Sequence, residues 1–295
     1  MYTLIDGKAT AAQIHSELNI EVQNRLSKGL RPPHLAAVLV GHDGASQTYV
    51  NNKILACERV GFQSTLIRKE STITESELLE LVASLNQDKD LDGFIVQLPL
   101  PDHINPEKIN EAIDPAKDVD GFHAINLGRM LLNLPGYLPA TPAGIIELLR
   151  RYKIETEGKN CVILGRSHIV GSPLSVLMVR SARPGNCTVT LCHSKTQNLK
   201  EHIQRADILI AALGKPGFVQ GDWVKEGAVV IDVGTTRVPD ASRPSGYKIM
   251  GDVDFETVAP RCSAITPVPG GVGPMTISML LRNTLDSANK RHYGG

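Results

Sequence analysis

The stretch Cys161 to Pro173, CVILGRSHIVGSP, limits what this chain can fold into more than any other. Cys161, Val162, Ile163 and Leu164 read as a short buried strand. Gly165-Arg166-Ser167 turns the chain, and Ile169, Val170 and Gly171 open a helix. A strand that turns on glycine into a helix N-terminus gathers free backbone N–H groups and the positive end of a helix dipole at one spot, which suits a phosphate. In a βαβ unit this is the dinucleotide fingerprint, here in the altered form G-x-S-x-x-x-G. A plain tight turn has the same letters, so the neighbouring segments have to decide.

Those neighbours alternate. Ile14, Leu18, Val22 and Leu26 recur every four residues in a helix over 8–29, which Gly29 stops. His34 to Val40 is a buried strand, 46–60 a helix stopped by Gly61, and Phe62 to Ile67 a strand. Thr74-x-x-Glu77 is a capping box ahead of Leu78, Val82 and Leu85. Leu91 to Leu98 is a strand, and Asn105-Pro106 starts a short helix. Asp114 to Pro139, rich in Asp, Gly and Asn, reads as an ordered loop lining a site. A helix from Thr141 to about Tyr152 bridges to renewed alternation, with strands near 161–164, 188–193, 207–212 and 228–233, and further strand-like segments near 247–251 and 262–266. The expected fold is α/β with two αβ domains, the second a Rossmann-like dinucleotide-binding domain, and an active-site cleft between them. The expected partition is 1–140 plus a C-terminal helix, 274–295, for the first domain and 141–273 for the second.

At 295 residues the chain is long enough for two ordinary cores. Its 31 basic and 31 acidic residues balance, so total charge favours neither nucleic acid nor an anionic membrane. The apolar run Ile208 to Leu213 is far too short to span a bilayer. The start, MYTLIDGKAT, lacks a basic region followed by an apolar one, which argues against a secretory signal. Five cysteines, odd in number and without paired C-x-x-C spacing, suggest reduced thiols in the cytoplasm and no structural metal.

A dinucleotide domain declares its preference at the end of its second strand, where a carboxylate accepts the ribose 2′-OH of NAD. Here that strand ends Cys192-His193-Ser194-Lys195, with no acid. Hydroxyl and basic groups, with Arg166 in the turn, suit a 2′-phosphate, so NADP is favoured over NAD. Thr235 and Thr236 follow VVIDVG at the carboxyl edge of the sheet; they fit a cofactor contact or an ordinary turn.

The other half carries the chemistry. Tyr49 and Lys53 stand at i and i+4 on one helix face. A lysine beside a tyrosine in a dry pocket is a proton shuttle, though most such pairs simply face solvent. Y-x-x-x-K also marks short-chain dehydrogenases, but there it follows the glycine turn, and here it precedes it by more than a hundred residues. Gln97 ends the apolar strand GFIVQLPLP, where a polar residue points to a cleft or to water. Asp118, Asp120 and Gly121 lie in KDVDG. An EF-hand fails, because the twelfth position from Asp118 is Arg129. One carboxylate there suits two N–H groups on the edge of a 2-amino-4-oxo pterin. PVPGGVGP offers close backbone approach to a flat ligand, or a plain turn.

With YVNNK, VQLPLP, KDVDG, GRSHIVG, CHSKT and ITPVPGGVGPMT in one order, the chain resembles the bifunctional methylenetetrahydrofolate dehydrogenase/cyclohydrolase family over nearly its whole length. The resemblance implies oxidation of 5,10-methylenetetrahydrofolate to 5,10-methenyltetrahydrofolate with NADP+, then hydrolysis to 10-formyltetrahydrofolate, by a cytoplasmic homodimer. It implies that Lys53 is the lysine of the hydration step, that Gln97 assists it, that Tyr49 shapes the folate site, and that Asp120 holds the pterin edge. Val96, Leu98, Pro269, Gly270 and Gly271 contact the folate by the same comparison, and Gly165, Arg166, Ser167, Ser194 and Thr235 line the cofactor. Two features depart from the family pattern: a longer Arg180 to Asn186 segment, and Thr235-Thr236 where an isoleucine and a polar residue are usual. A monofunctional dehydrogenase would let methenyl product accumulate, and a folate- or nucleotide-binding protein without catalysis would have no need of Lys53.

Overall fold

Apolar runs become parallel strands and capped amphipathic stretches become helices. The computed structural model describes residues 1–244 and 246–293. In chain order its elements begin β1 (Thr3–Leu4), α1 (Gly7–Leu26), β2 (His34–Val40), α2 (Gly44–Val60), β3 (Gln63–Lys69), α3 (Glu75–Gln87) and β4 (Gly93–Val96). Three helices follow, α4 (Pro106–Ala112), α5 (Ala124–Leu131) and α6 (Ala140–Arg151). The remainder is β5 (Asn160–Leu164), α7 (Gly171–Val179), β6 (Thr188–Cys192), α8 (Leu199–Gln204), β7 (Ile208–Ala211), β8 (Val229–Asp232), β9 (Thr236–Pro239), β10 (Tyr247–Met250), α9 (Phe255–Val258), β11 (Ala264–Ile265) and α10 (Val272–Ala288). Among the described residues no helix is long and apolar enough to cross a membrane.

The chain divides into two units. The first comprises Ala12–Ala140 with Ile277–Gly295, and the second Met1–Ala11 with Thr141–Thr276. Sequence alone counts residues 1–11 with the first domain; packing groups them with the second. The reason is the β1 segment, whose Thr3 and Leu4 pair in parallel with Ala264 and Ile265 of β11. Gly7 then packs so tightly that a Cβ there would lie 1.7 Å from the Gly271 carbonyl oxygen.

In the first unit a three-stranded parallel sheet runs β3-β2-β4. Every residue of β2 is buried, as expected of a central strand covered on both faces. Ala36, Val38 and Val40 pack with Leu78, Val82 and Leu85 of α3 and with Phe94 and Val96 of β4. Caps set the helix ends. Asp43 accepts the Ser46 N–H at 2.7 Å to start α2, and Gly61, at φ 82°, ends it. Thr74 and Glu77 close their capping box, and Asn105 caps α4 with Pro106 in its first turn. Three expectations need correction. The C-terminal helix expected over 274–295 is α10, Val272–Ala288, and the described residues after it turn. The helix read over 8–29 ends at Leu26, with Gly29 N–H closing a turn onto the Leu26 oxygen at 2.9 Å. Within the stretch read wholly as loop lies α5, whose N-cap is the uncommon His123.

In the second unit six parallel strands run β1-β11-β8-β7-β5-β6. Counted within the unit from β5, this is the 2-1-3-4-5 doubly wound order, with β1 added at the far edge. Its core joins Val162, Leu164, Leu209, Val230 and Ile265. The segment near 247–251 is a strand outside that sheet: β9 and β10 form a separate antiparallel hairpin.

Candidate active site

In the first unit the chemistry gathers beyond the carboxyl end of β4. Lys53 is 8% exposed, rare for a lysine, and a buried ammonium needs a polar partner. Its Nζ donates to Gln97 Oε1 at 3.2 Å. Gln97 is itself oriented, because its Nε2 donates to the Leu98 carbonyl at 2.8 Å and its backbone N–H donates to the Val38 carbonyl at 2.9 Å. Val96 and Leu98 flank it. Tyr49 stands one helical turn before Lys53 on α2 and is 42% exposed. The structure therefore brings Lys53 and Gln97 into contact and places Tyr49 on the adjoining, more open surface.

The KDVDG segment runs beside the same strand. Phe94 and Asp118 form a parallel bridge, and the turn that follows closes with the Gly121 N–H on the Asp118 oxygen at 3.1 Å. Asp120 occupies a corner of that turn, half-buried. Gly93 makes the approach possible: a Cβ there would sit 2.2 Å from the Val119 side chain. Gly121, at φ 75°, needs a glycine for both backbone and space, since a Cβ would lie 2.5 Å from the Leu138 carbonyl carbon.

The two carboxylates of the segment do different things. Asp118 is 3% exposed, and Oδ1 accepts the Gly121 and Phe122 N–H groups at 3.1 and 3.2 Å. Oδ2 accepts the His123 N–H and Asn126 Nδ2, both at 2.8 Å. Four donors fill it, which leaves no lone pair for a cation. Burial pushes its carboxyl up to about 6 even against those donors. Sequence reasoning missed its partner Asn126, a fully buried amide on α5. It also missed Asn283 of α10, whose Nδ2 donates to the Val119 and Leu138 carbonyls at 2.8 and 2.9 Å. Their only signal is an asparagine on the apolar side of a helix.

In the second unit Gly165-Arg166-Ser167, Ser194, Thr235 and Pro269-Gly270-Gly271 follow β5, β6, β8 and β11. These strands are parallel neighbours, so all four segments leave the same edge of one sheet. That edge is where ligands bind in open α/β folds, at the point where strand order reverses. Here the reversal falls between β5 and β7, and a Cβ on Gly165, at φ 108°, would meet the Ala212 oxygen at 2.1 Å. A Cβ on Gly171 would meet the Gly165 oxygen at 1.9 Å. The first turn of α7 receives no side-chain cap, and Arg166 and Ser167 are exposed beside it. Ser167 Oγ accepts the Val170 N–H at 3.2 Å, which shapes the loop. After β6, His193 Nδ1 accepts the Lys195 N–H at 3.1 Å and Thr196 Oγ1 accepts the His193 N–H at 2.8 Å. That turn presents Ser194 and Lys195 to solvent. At Pro269-Gly270-Gly271 the Lys8 N–H donates to the Gly270 oxygen at 2.8 Å.

Two further acids hold this edge, and sequence reasoning did not single them out. Asp232 Oδ1 accepts the Gly234 and Asp252 N–H groups at 2.9 Å, and Oδ2 accepts that of Val253 at 3.0 Å. Asp252, fully buried, accepts the Leu213, Gly214 and Lys215 N–H groups at 2.5, 3.0 and 2.7 Å. The pair ties together the loops after β7, β8 and β10. Burial pushes Asp232 up to about 6. An acid ending the apolar run VVID was the available signal.

Residues 5–120 match the tetrahydrofolate dehydrogenase/cyclohydrolase catalytic domain, and residues 139–292 match the NAD(P)-binding domain of the same family. The chain is 62% identical over 291 residues to the bifunctional protein FolD of Bacteroides thetaiotaomicron, covering 99% of both. With that of Cytophaga hutchinsonii it shares 62% over 285 residues, 97% of this chain and 98% of the relative. The crystal structure of bifunctional FolD, methylenetetrahydrofolate dehydrogenase/cyclohydrolase, from Campylobacter jejuni matches with a TM-score of 0.92 at 49% identity, covering 99% of this chain and 100% of that one. The Trypanosoma brucei methylenetetrahydrofolate dehydrogenase-cyclohydrolase, solved with NADP cofactor and inhibitor, matches with a TM-score of 0.93 at 38% identity, covering 99% of each. The chain belongs to the tetrahydrofolate dehydrogenase/cyclohydrolase family.

Proposed function

We propose that the protein is a bifunctional enzyme that oxidises 5,10-methylenetetrahydrofolate to 5,10-methenyltetrahydrofolate with NADP+ and then hydrolyses that cation to 10-formyltetrahydrofolate. One observation carries the reading: a buried lysine, Lys53, is held by Gln97 at the carboxyl end of β4, and the segment bridged to that strand carries the half-buried Asp120 while its neighbour Asp118 is saturated by four donors.

The residues of the second unit fit a dinucleotide. Gly165 and Gly171 let the turn after β5 close on itself, since a Cβ on either would strike backbone, the Ala212 or the Gly165 oxygen, and that tight turn leads into the uncapped start of α7. The turn His193-Ser194-Lys195-Thr196 after β6 holds no carboxylate, Ser194 and Lys195 are exposed in it and Arg166 is exposed after β5, which favours a 2′-phosphate and hence NADP over NAD. When bound, NADP+ accepts the hydride that leaves the methylene carbon of the folate. That step asks the protein for orientation alone. In our assignment Asp120 receives the pterin N–H edge, Tyr49, Val96 and Leu98 shape the ring site, and Pro269, Gly270 and Gly271 approach the folate through backbone.

Hydration asks for more. Water adds to the methenyl carbon with loss of one proton; the C–N5 bond then breaks as N5 takes a proton and the hydroxyl loses its own to become the formyl C=O, so one proton is released net. In our assignment Lys53 Nζ takes the proton from water and returns one to N5; its hydrogen bond to Gln97 supports the reading by fixing where the amine points. A homodimer in the cytoplasm belongs to the same reading, on family resemblance.

Steady-state assays with NADP+ and with NAD+, following NADPH or NADH together with methenyl absorbance, test the whole proposal. The expected result is turnover of methylenetetrahydrofolate with NADP+ preferred and no lasting methenyl build-up. Neither reduced cofactor nor methenyl product would refute it, and methenyl product that persists would leave a dehydrogenase alone.

A further inference from the structure

We infer that Tyr293, in the tail beyond α10, is a positioning residue for folate binding: it acts through Asn126 and Asp118 on the turn that carries Asp120. The inference rests on the assignment of Asp120 to the pterin edge.

Asn126 is fully buried and uses its entire hydrogen-bonding capacity. Nδ2 donates to the Pro115 carbonyl at 3.0 Å and to Asp118 Oδ2 at 2.8 Å. Oδ1 accepts the Tyr137 N–H at 3.2 Å and the Tyr293 hydroxyl at 2.6 Å. The reverse amide orientation would set N–H against N–H, so these four bonds fix one rotamer. Through Nδ2 that rotamer holds Asp118, and Asp118 gathers the Gly121, Phe122 and His123 N–H groups around the Asp120 corner. The chain of contact therefore runs from the tail hydroxyl to the turn through two buried side chains. Because a partly satisfied buried network is costly, loss of one member loosens the rest.

The ring of Tyr293 has its own supports. It packs on Tyr137 with centroids 5.6 Å apart, and the Arg129 guanidinium lies 5.2 Å from its centre. A phenylalanine keeps both contacts and removes only the hydroxyl. The rest of α10 holds the same region from behind: Asn283 bonds the Val119 and Leu138 carbonyls, and Ser287 Oγ donates to the Asp92 carbonyl at 2.6 Å, with the Ala116 carbonyl 3.1 Å away. Tyr293 is thus the outermost member of a set that all converge on residues 116–138.

Tyr293→Phe, Asp120→Asn and the double variant, each as the full chain, separate the possibilities. We expect Tyr293→Phe to raise KM for methylenetetrahydrofolate about three- to tenfold, the size of one net hydrogen bond, with KM for NADP+ unchanged. In the Asp120→Asn background the same change should add almost nothing, because the two act through one contact. If Asp120→Asn raises the folate KM and Tyr293→Phe leaves it alone, or if the two effects simply multiply, the positioning role is overturned while the folate site stands. If Asp120→Asn leaves the folate KM alone, the site assignment fails, and this inference fails with it.

Discussion

At the scale of single residues, similar letters are given different work by burial. Asp118 and Asp120 are indistinguishable in KDVDG, yet one is saturated by four donors and the other stays half-buried at a turn corner. Lys53 and Gln97 were legible as a pair of candidates, because a polar residue ending a central strand and a lysine on a helix face both break the apolar pattern. Their contact was not legible, since it depends on how α2 lies across β4. Asn126, Asn283 and Asp252 escaped because their partners lie eight or more residues away along the chain, among them the Asp118 and Tyr293 side chains for Asn126 and backbone groups for Asn283 and Asp252. The functional weight on Lys53 is testable. Lys53→Met should lower hydration about a hundredfold or more, the usual reach of a proton-transfer group, while NADP+ reduction persists. Accumulation of methenyl absorbance in that variant is the signal; unimpaired formyl production would remove Lys53 from the reaction.

At the scale of elements, local grammar was enough wherever the determinants are local. Asp43, Thr74 with Glu77, and Asn105 cap the helices that their letters announce. The strand–turn–helix at Gly165 was readable for the same reason. Two elements were hidden. α5 is eight residues long inside a polar stretch and starts on a histidine, whose Nδ1 accepts the Ile125 N–H at 3.0 Å. β1 is only two residues long and exists through β11. The tightness of the β5–α7 turn gives a prediction at this scale. Gly171→Ala places a methyl against the Gly165 carbonyl, with no flexible side chain to yield. It should cost about 1–3 kcal/mol of stability, as overpacking does, and raise KM for NADP+ more than KM for folate. Urea denaturation beside steady-state kinetics checks both; an unchanged NADP+ KM would dissociate this turn from the cofactor.

For the molecule as a whole, pH acts in two opposed windows. Burial lowers His15, with Arg59 adding to it, and burial likewise lowers His292. Below the ordinary histidine value of 6.5 the unfolded chain takes up protons that the fold refuses, so acid works against folding. Asp118 and Asp232 do the reverse. Their ordinary value is 3.8 and burial raises both to about 6, so the fold holds more protons between those values. The stability they contribute is complete below 3.8 and is lost as pH rises through 6. His15→Gln removes one histidine yet keeps an acceptor for Ser278 Oγ, which lies 3.1 Å from His15 Nε2. Its urea midpoint should fall less than the wild-type midpoint between pH 7.5 and 6. An equal fall in both proteins would mean that His15 titrates alike in the folded and unfolded states.

The partner of the short β1 segment has a consequence for how the protein comes into being. Thr3 pairs with Ala264, so this strand finds its place only once a segment more than 250 residues further along the chain is available. The other unit waits as well, because Leu280, Leu281 and Leu285 of its core arrive with α10. Each half therefore closes only when its distant segment joins it, and a nascent chain halted at residue 140 would lack a wall of its own interior. Such late, long-range closure slows folding and lengthens the time for which unsealed strand edges are open to other chains.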